Sequence, residues 1–258
     1  MEPLAVSAII ELLADADPRT VSEAVDRYEG DPRPGVIRAL GVARRRLDRQ
    51  DAESRRIEAL TTVERELRRR GLTVIAGVDE VGRGALAGPV SAGACVLPAD
   101  ATIRGLRDSK ALSAEARVTL DVEIRRVAVA VAVAHVPAAR VDRIGIAPAT
   151  LAAMHEAVEA LGISVDHVLV DGLDVALAYP HTAVVKGDDT VRSIAAAAIV
   201  AKVSRDALMC DLDSAHPGYG FSGNKGYGSS GHLRALAERG PCAEHRLTFG
   251  PCSQSRLF

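Results

Sequence analysis

The 258-residue chain contains no tryptophan, few other aromatic residues and only four cysteines. Aromatic residues make up 3% of the sequence and hydrophobic residues 48%, so we expect a sizeable core that is mainly aliphatic. The cysteines form no CxxC pair and lie far apart, which argues against a disulfide framework and against common zinc motifs. The sequence therefore predicts reduced, mostly buried thiols in a cytoplasmic protein.

Long apolar runs and a strong charge imbalance are also missing. The longest apolar run, Val127 to Val133, is too short to cross a bilayer and predicts a buried strand. No basic stretch followed by an apolar one opens the sequence, so we expect no signal peptide and no membrane association. The formal net charge of -2 does not indicate nucleic-acid binding, which would need local basic patches or metal ions.

Lysine is scarce in this chain. There are 28 arginines but only four lysines, namely Lys110, Lys186, Lys202 and Lys225. A chain with this bias retains lysine either by chance or where a compact ammonium group matters. Three of the four lie in loops marked by glycine or serine, beside carboxylates or other polar groups. We interpret these three as candidate functional residues.

Residues 1 to about 70 show helical patterns and almost no strand pattern. Two short helices are expected first, with Thr20 or Ser22 as the cap of the second. A long helix follows, which Asp51 could interrupt. Arginines dominate from Arg38 onward, either as a solvated helix face or as a basic arm near nucleic acid, and the sequence leaves both readings open.

From Leu72 the sequence alternates between strand and helix patterns, which predicts an α/β domain with a mixed sheet. Ser113 is the expected cap of a helix of about 14 residues, and a long apolar helix is expected over Thr190 to Asp213. The expected strands are Leu72 to Val81, Pro89 to Leu97, Val127 to Val136, His167 to Val170, and Ala183 to Val185. The first two are expected to pair in antiparallel fashion.

Four carboxylates are predicted at strand ends: Asp79 with Glu80, then Asp171, and Asp188. Each alone could be an ordinary turn residue. Brought to one sheet edge, however, they would repel one another unless cations neutralised them. Hard oxygen ligands select Mg²⁺ or Mn²⁺, and two such ions would support phosphodiester hydrolysis.

These motifs together resemble bacterial ribonuclease HII, in the order in which that family carries them. The matching segments are Gly77 to Val90, Asp108 to Lys110, Val170 to Gly172, Lys186 to Asp188, Ser193 to Asp206, Asn224 to Ser229, and Gly240 to Phe249. The resemblance implies an RNase H-like α/β fold, flanked by a helical N-terminal extension and a helical C-terminal segment. It divides the chain into an extension at 1–70, a catalytic core at 71–215 and a substrate-contacting segment at 216–258.

The resemblance also implies an activity and a set of site residues. The family hydrolyses RNA in RNA–DNA hybrids, including single ribonucleotides embedded in duplex DNA. It cuts on the 5′ side of the ribonucleotide and leaves a 3′-hydroxyl and a 5′-phosphate. The implied catalytic and metal-binding residues are Asp79, Glu80, Asp171 and Asp188, holding two Mg²⁺ or Mn²⁺ ions. The implied substrate-binding residues are Gly82, Arg83, Gly84, Lys110, Lys186, Lys225 and Tyr227.

Within that set, Gly82, Arg83 and Gly84 match the loop that senses the 2′-hydroxyl at the RNA–DNA junction. Tyr227 matches the tyrosine that packs on the deoxyribose following the ribonucleotide. Two alternatives remain open, namely a related nuclease of the same fold acting on DNA and a catalytically silent hybrid-binding module.

An aspartate and two histidines lie outside the implied site. Asp206 is expected to pair with an arginine rather than to bind metal. His232 and His245, with Cys242, match no common zinc spacing and are interpreted as fold or phosphate-contacting residues.

The sequence ends with Gln254 followed by Ser-Arg-Leu-Phe, so Gln254, Leu257 and Phe258 have the spacing of a sliding-clamp-binding peptide. An apolar pair on a tail is a plausible anchor for a groove on a clamp. The sequence alone does not decide whether the tail binds a clamp.

Overall fold

A computed structural model of the chain describes residues 4–15, 17–172 and 175–254. The helices are α1 (Val6–Asp15), α2 (Pro18–Arg27), α3 (Pro34–Leu60), α4 (Thr62–Arg69), α5 (Ala114–Val127), α6 (Ala138–Ile144), α7 (Ile146–Glu159), α8 (Gly187–Thr190), α9 (Arg192–Ala215), α10 (Phe221–Asn224), α11 (Ser230–Arg239) and α12 (Gly250–Gln254). The strands are β1 (Ile75–Val81), β2 (Val90–Val96), β3 (Ala130–Val136), β4 (His167–Asp171) and β5 (His181–Val184). Among the described residues, no helix has both the length and the apolar character needed to cross a bilayer.

The chain divides into two compact units, residues 1–58 and 59–258. The smaller unit is helical and has its own apolar core, to which Ile9, Val21 and Leu40 contribute. Its second helix is capped by Asp17, whose carboxylate accepts hydrogen bonds from two main-chain amides, whereas the sequence interpretation favoured Thr20 or Ser22. The helix begins earlier than expected, because Pro18 is favoured at the first helical position. The capping position is therefore the residue before Pro18, which is Asp17.

The expected interruption at Asp51 is wrong, because α3 runs unbroken through that position and ends at Leu60. The residues around Asp51 are mainly glutamine, alanine, glutamate and arginine, which favour the helical conformation. The break lies instead at Thr61, immediately before α4. Residues 59–69 belong to the larger unit, and the division of the chain at residues 70 and 215 stays a prediction.

The larger unit contains one mixed sheet with strand order β3-β2-β1-β4-β5. β1 pairs with β2 in antiparallel fashion, as expected, and β2 pairs likewise with β3. β1, β4 and β5 are mutually parallel, so their carboxyl ends lie at the same edge of the sheet. The predicted α/β fold with a mixed sheet flanked by helices is confirmed, and Ser113 caps α5 as expected.

The central helix α9 packs directly on one face of the sheet and is buried along most of its first half. Two glycines allow this close approach. A Cβ atom on Gly77 of β1 would lie 2.1 Å from the carbonyl carbon of Ser193, and one on Gly93 of β2 would lie 2.3 Å from the oxygen of Ala197. Because helix and sheet meet at backbone distance, small alanines suffice to fill this layer. α7 covers the opposite face of the sheet.

Candidate metal centre and nucleic-acid site

The sheet brings Asp79 and Asp171 together at its carboxyl edge. Val78 of β1 pairs with Val170 of β4, so the two aspartates follow at equivalent positions on neighbouring parallel strands. Side chains alternate between faces along a strand, and Asp79 shares the face of Gly77, on which α9 packs. The two carboxylates therefore point toward the start of α9.

Asp188 joins them from a different kind of element. The sequence analysis placed it at a strand end, but β5 stops at Val184 and Asp188 lies in the one-turn helix α8, just before α9. Carboxylate oxygens of Asp79, Asp171 and Asp188 all lie within 4.8 Å of one another. The amide of Gly187 donates a hydrogen bond of 2.6 Å to Asp171 and fixes that carboxylate beside α8.

Glu80 lies outside this group of three, although it borders the same cavity. As the next residue along β1, it points to the opposite side of the strand from Asp79. Its carboxylate lies 3.9 Å from the guanidinium of Arg83. The structure thus brings together three of the four predicted carboxylates and leaves Glu80 at the rim.

The negative charge of the cluster is only partly compensated by neighbouring cations. Burial, followed by the charges of Glu80, Asp171 and Asp188, raises the pKa of Asp79 well above its usual value. Burial and then Asp171 likewise raise the pKa of Asp188. The nearest cation is Lys110, whose ammonium lies 3.4 Å from Asp188 but is 79% exposed. A cluster of carboxylate oxygens with excess negative charge is a suitable ligand set for a divalent cation such as Mg²⁺ or Mn²⁺.

A cavity of about 360 Å³ opens beside the carboxylates. Its lining joins Asp79 and Glu80 to Lys110 and Tyr227, which lie far apart in the sequence, and also includes Lys202 of α9. Lys202 was not among the predicted site residues, because it lies on a helix and not in a glycine- or serine-marked loop. Its ammonium donates a 2.7 Å hydrogen bond to Asp206 one helical turn later.

The other predicted lysines differ in their surroundings. Lys186 is exposed and adopts a left-handed backbone conformation immediately before α8. Lys225 is half-buried, and its ammonium contacts the carbonyl oxygen of Asp206 at 3.2 Å and the sulfur of Cys210 at 3.1 Å. Asp206 itself lies 3.9 Å from Arg117, so it has the arginine neighbour that we expected, although not the adjacent Arg205.

The loop that follows β1 is held in place by Arg246, whose contacts with this loop no sequence pattern predicted. Its guanidinium is fully buried and donates to the carbonyl oxygens of Gly82, Arg83 and Gly88 at 2.8 to 3.1 Å. Burial, followed by the nearby charge of Arg205, lowers the pKa of Arg246 to about 10. The side chain of Arg83, in contrast, is exposed at the cavity rim.

Arg205 connects this loop to the loop that carries Tyr227. Its buried guanidinium donates to the carbonyl oxygens of Pro89 and Lys225 at 2.9 Å and lies 5.6 Å from the centre of the Tyr227 ring. The Tyr227 hydroxyl accepts a 3.2 Å hydrogen bond from the amide of Gly82. The two predicted substrate loops are therefore joined into one rigid wall of the cavity.

Gly82 and Gly84 are predicted to respond differently to alanine. Gly82 has a φ of +80°, and a Cβ atom there would lie 2.1 Å from Nε of Arg205, which its own hydrogen bonds hold in place. Gly84 has open space around it. We expect Gly82→Ala to lower the free energy of unfolding by about 2 kcal/mol and Gly84→Ala to change it by less than about 0.5 kcal/mol, as measured by urea denaturation. Equal losses would contradict this account.

Behind Tyr227 lies a sealed pair of histidines. His232 and His245 are buried, and their Nε2 atoms lie 3.0 Å apart. His232 contacts the carbonyl oxygen of Tyr227, and His245 accepts a hydrogen bond from the amide of Cys242. These residues thus support the wall of the site from the inside.

This burial predicts an acid-sensitive contribution to stability. Burial, and then the neighbouring His232, lowers the pKa of His245 from 6.5 to about 4. The unfolded chain therefore takes up a proton near pH 6.5, whereas the folded chain resists protonation until about pH 4. The contribution is complete above pH 6.5, and about 3 kcal/mol is lost as the pH falls to 4.

The measurement is the difference in unfolding free energy between the wild type and His245→Asn, because titrations common to both proteins cancel. We expect this difference to be constant above pH 7 and to shrink between pH 6.5 and 4. A difference that does not change over that interval would show that the pKa of His245 is the same in the folded and unfolded states, and would contradict the account.

The structure describes only part of the tail that is predicted to bind a sliding clamp. Leu257 and Phe258 lie outside the described residues, as does the side chain of Gln254. The last described element is α12, which ends at Gln254. That interpretation stays a prediction.

Comparison with known proteins gives a consistent family. The family model "Ribonuclease HII" matches residues 76–252, and the model "Ribonuclease HII N-terminal domain" matches residues 5–68. The chain is 43% identical over 245 residues to Ribonuclease HII of Geobacillus thermodenitrificans, covering 95% of this chain and 93% of that protein. It is 50% identical over 192 residues to Ribonuclease HII of Geotalea uraniireducens, covering 74% and 89%.

Solved structures with the same fold include ribonuclease H2 from Pyrococcus horikoshii, with a TM-score of 0.62, 24% identity and coverage of 71% of this chain and 97% of that one. A PCNA:RNase HII complex from Archaeoglobus fulgidus has a TM-score of 0.58 and 25% identity, with coverage of 69% of this chain and 95% of that one. Bst-RNase HIII in complex with Mn²⁺ has a TM-score of 0.52 and 20% identity, with coverage of 71% of this chain and 69% of that one. The two family models together cover most of the chain, and the Geobacillus relative aligns over 95% of it. The chain therefore belongs to the Ribonuclease HII family, and it is a ribonuclease H enzyme.

Proposed function

We propose that this enzyme hydrolyses RNA in RNA–DNA hybrids, including single ribonucleotides embedded in duplex DNA. Cleavage falls on the 5′ side of the ribonucleotide and leaves a 3′-hydroxyl and a 5′-phosphate, which would serve ribonucleotide removal from DNA. The observation that carries the proposal is the cluster of Asp79, Asp171 and Asp188, with oxygens within 4.8 Å of one another beside an open cavity. Membership of the Ribonuclease HII family supports it.

In this proposal Asp79, Asp171 and Asp188 hold divalent cations, with Glu80 completing the site from the rim. Mg²⁺ or Mn²⁺ ions bound there, two in number, would activate the attacking water and stabilise the leaving oxygen. The Mn²⁺ complex of the distantly related Bst-RNase HIII is in keeping with this choice of metal. The protein's own part is to keep the carboxylates close together before any metal arrives, as the bond from Gly187 to Asp171 does.

The cations around the cavity would position the nucleic acid. The exposed ammonium of Lys110 lies beside Asp188, where it can bind a phosphate next to the cut bond. Arg83 and Lys186 present further exposed charges. Lys225 contributes to the same surface mainly by bracing its loop against α9.

Recognition of the junction falls to the Gly82–Gly84 loop and Tyr227. Backbone groups without side chains can approach a 2′-hydroxyl, which distinguishes the sugar of a ribonucleotide from that of a deoxyribonucleotide. The Tyr227 ring is 38% exposed beside that loop and can pack on the next sugar. The hydrogen bonds from Arg246 and Arg205 hold the Gly82–Gly84 loop and the Tyr227 loop in fixed positions.

A duplex DNA with one labelled embedded ribonucleotide tests the function. We expect a cut on its 5′ side with Mg²⁺ and with Mn²⁺, and none in an all-DNA duplex. Cutting of both duplexes would favour a DNA nuclease of the same fold. Binding without any cut, in either metal, would favour a silent hybrid-binding module and would refute the proposal.

We also propose that Gln254, Leu257 and Phe258 bind a sliding clamp. The support is the spacing of these residues and the PCNA complex of the RNase HII from Archaeoglobus fulgidus. Removal of residues 254–258 is expected to abolish binding to an immobilised bacterial clamp and to leave hydrolysis in solution unchanged. Unchanged clamp affinity would refute this interaction.

A further inference from the structure

We propose that His232 and His245 are positioning residues, which orient Tyr227 for its contact with the sugar of the bound nucleic acid. The proposal rests on the function proposed above, in which Tyr227 packs on that sugar. Neither histidine borders the cavity of the carboxylates. Their effect on the reaction would therefore pass through Tyr227.

The hydrogen bonds of the pair have one consistent direction. The Cys242 amide donates to Nδ1 of His245 at 3.0 Å, so a neutral His245 carries its proton on Nε2. That proton is donated to Nε2 of His232, across 3.0 Å. His232 then carries its own proton on Nδ1 and donates it to the carbonyl oxygen of Tyr227, at 2.9 Å. We assign these tautomers from the bonding partners, because only this assignment satisfies all three bonds.

The chain of bonds continues through Tyr227 to the loop at the metal centre. The same carbonyl oxygen also accepts a bond from the amide of Ser229. At the other end of the residue, the hydroxyl accepts from Gly82, and the ring lies against the guanidinium of Arg205. The position of the ring is thus set from its main chain by His232 and from its hydroxyl by Gly82.

The two histidines are enclosed by aromatic side chains, in a place where polar side chains are not needed for packing. Tyr219 lies with its ring centre 4.8 Å from that of His245, and Phe221 lies 5.4 Å from His232. In this apolar enclosure, apolar side chains would pack at least as well and would avoid the cost of burying polar nitrogens. The directed bond to the Tyr227 carbonyl is what apolar side chains could not provide.

Two substitutions of His232 separate this bond from simple packing. The side-chain amide of asparagine can stand where Nδ1 stands, so His232→Asn keeps a donor for Tyr227. The amide of glutamine reaches instead toward the Nε2 position, so His232→Gln loses that donor. We expect kcat/KM on the duplex with one embedded ribonucleotide to fall about tenfold in His232→Gln and to recover to within about threefold of wild type in His232→Asn.

A double-mutant cycle with Tyr227→Ala decides whether the effect passes through Tyr227. If it does, adding His232→Gln to Tyr227→Ala changes kcat/KM by less than about twofold. The same tenfold loss in both backgrounds would overturn the positioning role and leave a general effect on the fold. If His232→Gln does not fold, His245→Asn replaces it, since this variant keeps an acceptor for Cys242 but removes the donor to His232.

The two proposals fail in different ways in this experiment. A wild-type protein that does not cut the embedded ribonucleotide refutes the proposed function. A wild-type protein that cuts, with His232→Gln or His245→Asn losses that persist in the Tyr227→Ala background, refutes only the positioning role.

Discussion

Asp79→Asn is expected to lower the rate of hydrolysis by at least about a thousandfold while leaving the binding of an RNA–DNA hybrid in place. Asparagine keeps the size of the side chain and one oxygen but removes the charge of Asp79, which is buried in the carboxylate cluster and only 8% exposed. Cleavage of a labelled hybrid with Mg²⁺ or Mn²⁺ measures the rate. Fluorescence anisotropy in EDTA measures the binding.

The same substitution should not destabilise the metal-free protein. Asp79 is buried beside other carboxylates that raise its pKa, so its charge opposes folding when no cation is bound. We expect the melting temperature of Asp79→Asn in EDTA to equal or exceed that of the wild type. Added Mg²⁺ should stabilise the wild type more than the variant, because only the wild type retains the full set of ligands.

Asp189 supplies the matched control for this experiment. It neighbours Asp188 on α8 but is exposed and does not belong to the group within 4.8 Å. Asp189→Asn therefore removes the same charge from a residue beside the cluster but outside it, and its rate should stay within about threefold of wild type. A comparable loss in both variants would mean that overall charge, and not the cluster, supports the reaction.

The extent to which this site was predictable depends on how local its signals are. Asp79 and Asp171 were predictable because each directly follows an apolar strand pattern and parallel strands share an edge. Asp188 was predicted as a site residue on a strand end, but it lies on a one-turn helix. Local patterns of this length do not distinguish a strand end from the turn that follows it.

The side of the strand on which Glu80 lies also follows from simple geometry. Adjacent residues of a strand point to opposite faces, so Asp79 and Glu80 approach the site from different sides of β1. The structure accordingly gathers Asp79 with Asp171 and Asp188, and leaves Glu80 beside Arg83.

The supports behind the site were not predictable, because they join distant parts of the chain. Arg246 bonds to Gly82, 164 positions away, and Arg205 bonds to Pro89, 116 positions away. A buried arginine has no periodic signature, and the abundance of arginine in this chain hides the few that are buried. The histidine pair is similar, since the spacing of His232 and His245 matched no common zinc motif and did not show that the two side chains are buried together.

Glu64→Ala is expected to lower the free energy of unfolding by about 4 kcal/mol, the largest loss of stability predicted for this chain. Glu64 of α4 and Arg192 at the start of α9 form an ion pair at 2.7 Å, with side chains only 2% and 4% exposed. The second oxygen of Glu64 accepts a bond from the amide of Ser193 and so satisfies an open donor at the N-terminus of α9. Alanine would leave both the guanidinium and that amide without the carboxylate.

The size of the effect follows from the position of α9. Arg192 also donates to the carbonyl oxygens of Pro98 and Ala101, so its charge cannot swing out to water without breaking those bonds. α9 in turn packs at backbone distance on Gly77, two residues before Asp79. A displaced helix start would therefore disturb the carboxylate cluster, and Glu64→Ala should lose activity at temperatures well below those that inactivate the wild type.

Glu66→Ala is the appropriate control, because Glu66 lies on the same helix and pairs with Arg69 in an exposed ion pair. Exposed pairs contribute little, so this substitution should cost less than about 0.5 kcal/mol. Glu64→Gln separates charge from hydrogen bonding, and we expect an intermediate loss. Urea denaturation of the three variants measures these differences, and equal losses for Glu64→Ala and Glu66→Ala would show that the buried pair does not anchor α9.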